Sequence, residues 1–190
     1  MPANWGNDPP SPDPDDWFTF EELAKRLAAL VWVEQSLADL FQAWSALDAH
    51  SGARILLAQT GRHHAWHAET LNGCLPTSPQ LADAATPRAP TQGWADALSI
   101  LRAVDATDQS PARIAAIVRE LDPWLKRETT ALLDLARPVA DAHLIRWLRF
   151  IAIDHHDDGA AMAELLEALQ ANTISLQDRS LLNQIELNSP

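Results

Sequence analysis

The chain of 190 residues has one cysteine, no tyrosine, six glycines, and 14 basic residues against 26 acidic ones. Each shortage argues against a class of protein. The lone thiol, Cys74, cannot close an internal disulfide, which predicts a reducing, cytoplasmic setting. A formal charge of −12 speaks against nucleic acid or an anionic membrane as partner, because both select basic surfaces. No apolar run reaches membrane-spanning length, and the first residues lack the basic-then-apolar pattern of a secretion signal. Ser, Cys and Lys offer no nucleophile at usable spacing from a base. What remains is rich in Ala and Leu within an apolar share of 47%. That mixture predicts an all-α protein, since Ala and Leu favour helices while few β-branched or aromatic residues are present to build sheets.

Punctuation divides the chain. Residues 1–17 carry five prolines and four aspartates and predict a flexible tail. Residues 18–170 read as one helical-bundle domain, and 171–190 as a C-terminal extension whose short amphipathic piece, Leu181–Leu187, docks on the body. Thr19 and Glu22 form a capping box that opens a helix running to about Leu47. A turn around Asp48–Ser51 starts a second helix, which Asn72, Gly73 and Pro76 end. A long connection over 73–109 holds one short helix near Trp94–Val104. Ser110 and Pro111 open a third long helix, Pro138 breaks it, and a fourth runs from about Asp141 to about Gln170. The plan is two helical hairpins joined by a long crossover.

Advancing each helix by about 100° per residue shows what lies on its apolar stripe. On the first helix Leu27, Leu30, Val31, Leu37 and Phe41 define the stripe and Glu34 sits at its centre. On the third, Ile114, Ile117, Leu121, Trp124, Leu125, Leu132 and Leu135 do so, with Glu128 central. An unpaired carboxylate inside a core costs several kcal/mol, so two at matching places need a common reason. The second helix supplies one, because Leu57, Thr60, His64, His67 and Leu71 share a face. On the fourth, Trp147, Phe150, Ile151, Met162 and Leu165 set the stripe. Asp154 falls on it and Asp157 at its edge; His155, His156, Asp157 and Asp158 read as a solvated charge run, of which Asp157 is also a candidate ligand. Height agrees: Glu34 lies fourteen residues before a turn near 48 and His64 sixteen after it. Glu128 lies eleven before a turn near 139 and Asp154 fifteen after.

These residues read as metal ligands: Glu34, His64 and His67 around one ion, Glu128 and Asp154, with Asp157, at a second. The bland alternatives are a buried network of core histidines bonded to Glu34, or glutamates paired with an arginine such as Arg62 or Arg146. Paired hairpins, a long crossover and the order Glu, two ligands, Glu, two ligands resemble the ferritin-like, carboxylate-bridged di-iron superfamily over about residues 19–170. Where that family carries Glu-x-x-His twice, this chain has His64-Ala-Trp-His67 and Asp154-His-His-Asp157, so four carboxylates and two histidines remain but redistributed. The resemblance implies a ferritin-like four-helix bundle holding iron, with manganese as the alternative, one or two ions in number. It implies an oxidase or oxygenase acting on a small-molecule substrate. Trp32, Trp66 or Trp147 would stand in for the absent redox tyrosine. The competing expectation is a non-catalytic bundle subunit that works by binding a partner protein. A homodimer through an exposed helix face is expected in either case.

Overall fold

The Thr19 hydroxyl accepts the Glu22 N–H at 3.2 Å, and a Glu22 carboxylate oxygen accepts the Thr19 N–H at 3.1 Å. That reciprocal cap opens α1 (Phe20–Leu47), satisfying two backbone donors that the first turn leaves open. The computed structural model describes residues 19–48, 50–103 and 110–170; the expected tail and C-terminal extension lie outside them. α1 ends at Asp48, whose carboxylate accepts the His50 N–H at 2.8 Å. His50 in turn caps α2 (Ser51–Asn72), its Nδ1 accepting the Ala53 N–H at 3.2 Å. The reversal between α1 and α2 is thus held by two side chains in series. α1 and α2 pack along their lengths, close enough at Gly61 that a Cβ there would sit 3.3 Å from the Phe41 Cβ.

The crossover contains a 3₁₀ turn (Pro79–Leu81) and α3 (Gln92–Ala103). Trp94, Ala97, Leu98 and Leu101 are buried, the i, i+3, i+4, i+7 set of an amphipathic helix. Trp94 meets Trp124 edge to face with ring centroids 4.7 Å apart, fastening the crossover to the second hairpin.

The expected third helix is present but not uniform. α4 (Ser110–Ala116) passes through a π-helical turn (Ile117–Leu121) into α5 (Asp122–Leu135). Pro123 accounts for the turn. In a regular helix its ring would collide with the carbonyl four residues back, and it has no N–H to give. Widening the turn lets the Asp122 N–H donate to the Ile117 carbonyl, five residues back. Such a turn makes the helix lag by about one residue of rotation, ~100°. Beyond it Leu125, Thr129 and Leu132 face inward and are buried. Glu128 is carried off the inner face.

α6 (Ala142–Gln170) packs against α5, α4 and α2, and α5 also touches α1. The pairs α1–α2, α2–α6, α6–α5 and α5–α1 therefore close a ring of helices around a shared interior. The described residues are helical and connecting segments with no strand, and no described helix is long and apolar enough to cross a membrane. The buried face of α6 is Leu144, Leu148, Ile151, His155, Asp158, Met162 and Leu166, so Asp158 as well as His155 leaves the expected solvated run. This corrects the expected stripe by one position: Phe150 is 46% exposed, and His155 takes the inward place assigned to Asp154.

Candidate metal centre

Glu34 is wholly buried at mid-height of α1. Its two carboxylate oxygens meet three imidazoles. Oε2 lies 2.5 Å from Nδ1 of His64 and 3.2 Å from Nδ1 of His67, and Oε1 lies 2.8 Å from Nε2 of His155. His64 and His67 come from α2, three residues apart and so on one face; His155 comes from α6. All three are buried. Their rings enclose the carboxylate, with His67 and His155 centroids 5.1 Å apart and edge to face. Phe41 closes one side against His64 at 5.2 Å, and Trp66 lies against His67 at 5.4 Å.

A second layer fixes the rings. His67 Nε2 reaches Asp154 Oδ2 at 3.1 Å, so both nitrogens of His67 face carboxylate oxygens, which only accept. A protonated His67 can donate from both nitrogens to these carboxylates, so its two partners favour the charged form. The Thr129 hydroxyl lies 3.5 Å from His155 Nδ1. On the rim, His63 Nδ1 is 2.8 Å from Asp158 Oδ2.

Burial sets the electrostatics, and the partners then decide the outcome. Burial by itself pushes the Glu34 carboxyl up, but the charges and hydrogen bonds of His155 and His64 overrule it and hold the group well below the usual carboxylate range. For His64 burial wins over the attraction of Glu34, and the imidazole is held below its ordinary value. For His67 burial also pulls down, but hydrogen bonds to Glu34 and Asp154 outweigh it and the value is raised. Together these shifts favour an ionised Glu34 and a protonated His67 and disfavour the charged form of His64.

One donor atom from each of Glu34, His64, His67 and His155 lies within 4.8 Å of every other, and all four residues are buried. Four ligands held tetrahedrally at ~2.0–2.2 Å from an ion stand about 3.3–3.6 Å apart, so the set would close in around a bound ion. This buried Glu/His group can hold a metal ion, and it is the one such group among the described residues. Three of the six expected ligands are in it. Asp154 touches the cluster from outside, its side chain 33% exposed. Glu128 and Asp157 are not brought in: Glu128 pairs with Arg26 at 3.4 Å, and Asp157 is exposed. His155, read as part of a solvated charge run, is the member that sequence reasoning missed. Its signal was available in the spacing Leu144, Leu148, Ile151, His155, Asp158, Met162, which keeps the alternating four-and-three step of a core face.

Beside His64 and His155 lies a cavity of about 20 Å³, room for about one water-sized molecule. Leu37, Phe41, Leu125 and Met162 make most of its wall apolar, and Ile117 and Leu121 of the π-turn complete one side. Thr60 also lines it, and the buried Thr60 hydroxyl has no hydrogen-bond partner among the described residues.

No family model, no curated protein and no solved structure matches this chain.

Proposed function

We propose that this chain is a non-haem metal protein of ferritin-like plan in which Glu34, His64, His67 and His155 hold one iron or manganese ion, serving oxidation chemistry on a small molecule. The supporting observation is the donor set: three imidazoles and one carboxylate, buried and mutually within 4.8 Å. Imidazole with carboxylate suits iron and manganese among the common metals. Such an ion, when bound, supplies one-electron redox chemistry and an open position for a small reactant. The chain's own residues do the rest. Asp154 and Thr129 orient His67 and His155 by their hydrogen bonds, as outer partners of ligating histidines do. Leu37, Phe41 and Met162 restrict access to the cavity, and its volume favours a reactant of dioxygen or peroxide size over a larger organic molecule. The unpartnered Thr60 hydroxyl is placed to donate to such a molecule.

The experiment is metal analysis of protein from iron- and manganese-supplemented cells, joined to thermal melts of the apo-protein with either ion. A ligand confined to the native state stabilises it, by ~2.7 kcal/mol at a hundredfold excess over Kd. The absence of both bound metal and a thermal shift would end the metal reading. One observation favours a second reading, a non-catalytic bundle that binds a partner protein: both oxygens of Glu34 already have imidazole partners without any ion. A protein lacking metal and indifferent to it would be that bundle.

A further inference from the structure

We propose that the outward face of α6 is a self-complementary dimer interface, occupied by the same face of a second copy running antiparallel. The face is a stripe with the alternating step of three and four residues that marks a helix seam: His143, Arg146, Phe150, Ile153, Asp157 and Ala160. All six are exposed. Phe150 and Ile153 at its centre are 46% and 57% exposed, apolar surface that a second copy would remove from water. The order of charges selects the occupant. A two-fold axis level with the Ile151–Ala152 peptide sets Phe150 against Ile153 of the partner subunit, and Ile153 against Phe150 of the partner subunit. The same axis sets Arg146 against Asp157 of the partner subunit, and Asp157 against Arg146 of the partner subunit. Beyond them His143 meets Ala160 of the partner subunit.

Each half of the stripe is thus the complement of the other, the condition for an isologous contact. A parallel second copy would set arginine on arginine and aspartate on aspartate, which like-charge repulsion opposes. Neither Arg146 nor Asp157 has an ion-pair partner among the described residues; Arg146 only lies over the Trp147 ring at 5.8 Å. An open groove of about 880 Å³ between the end of α5 and the start of α6 runs beside the stripe and shares Arg146, Phe150 and Ile153 with it. It widens the apolar area available to a second copy. The metal cluster lies on the opposite face of α6, so this interface stands whether or not an ion binds there.

Sedimentation equilibrium of the full chain reads the state directly. A dimer is expected, and F150D/I153D should be monomeric. R146D and D157R singly should each raise the dimer dissociation constant at least tenfold, because every single reversal places two like-charge pairs across the axis. R146D/D157R together exchanges the charges and should restore the dimer. Helix content by circular dichroism separates a lost dimer from a lost fold, and the charge exchange decides the matter even where the F150D/I153D chain does not fold. A wild-type chain that stays monomeric overturns the proposal and assigns the face to a different occupant. So does a dimer indifferent to the single reversals, or one that the double reversal fails to restore.

Discussion

The two hairpins differ in how their polar residues meet the interior. In the first, Glu34, His64 and His67 lie on the apolar stripes of two regular helices and end up buried. In the second, each helix is turned by about one residue from the phase its apolar residues indicate. Thr129 stands where Glu128 was expected, and His155 where Asp154 was. A constant advance of 100° holds for an unbroken helix with one apolar face. α4 and α5 fail the first condition at the π-turn before Pro123; α6 fails the second because Phe150 and Ile153 face outward.

The largest effect that should separate the halves is at Glu34. Glu34→Leu removes the one carboxylate shared by three imidazoles and leaves His67 with Asp154 alone. Breaking a buried charge pair costs about 3–5 kcal/mol, so urea denaturation of the apo-protein should show a loss of that order. Metal-induced stabilisation should vanish as well. If Glu34→Leu costs nothing, the first hairpin's cluster is no more consequential than the second hairpin's rim.

His155 and its neighbour give a sharper contrast. His155→Ala should abolish metal-induced stabilisation and cost the apo-protein about 1–3 kcal/mol, the penalty of leaving a buried acceptor on Glu34 short of a partner. Asp154→Ala should keep the metal response but lower the His67 pKa, since Asp154 is one of the two carboxylates that raise it. Nuclear magnetic resonance titration of the imidazole protons measures that change. The reverse pattern, with Asp154 indispensable and His155 dispensable, would restore the phase read from the apolar residues.

Most of the fold was legible because its signals are local. The Thr19–Glu22 box, the Ser110–Pro111 start and the Pro138 break each act within a few residues, and the helices begin and end within about two residues of where those signals put them. Three of the site's four members were legible for the same reason: Glu34, His64 and His67 need only helical periodicity. His155 needed the phase of α6, which Trp147 and Phe150 pull outward. The π-turn was also marked by Pro123, but a helix can answer an interior proline by kinking, breaking or widening. Which of these occurs depends on what packs against it.

A pH series tests the charge state of the cluster. Metal binding needs neutral imidazoles, and His67 in the apo-protein holds its proton above the ordinary range. Affinity for manganese should therefore fall as pH drops from about 8 to about 6, with proton release visible by calorimetry in buffers of different ionisation enthalpy. Apo stability has two flanks. The raised His67 contributes below its unfolded value of ~6.5 and loses that contribution as pH rises through its folded value. The depressed Glu34 contributes above the unfolded carboxylate value and loses it as pH falls through its folded value. Apo stability should thus peak in mildly acidic solution and metal affinity on the alkaline side of it. Coincident optima would mean that His67 is not the proton carrier.

The smallest effect is expected at Glu128, and it tests whether the second hairpin has a metal subsite at all. Its carboxylate faces Arg26 at 3.4 Å, with the two side chains 19% and 44% exposed. Pairs so open to solvent are screened and contribute about 0–1 kcal/mol. Glu128→Ala should fall within that range, shrink further in high salt, and leave the midpoint shift produced by iron or manganese unchanged. A carboxylate that ligates an ion behaves otherwise: its loss lowers metal affinity while scarcely altering the apo-protein. Measuring Glu128→Ala with and without metal separates the two, because the Arg26 pair affects both states equally. A metal-dependent loss would bring Glu128 back into the site and make the hairpins alike in function despite the rotation of α5.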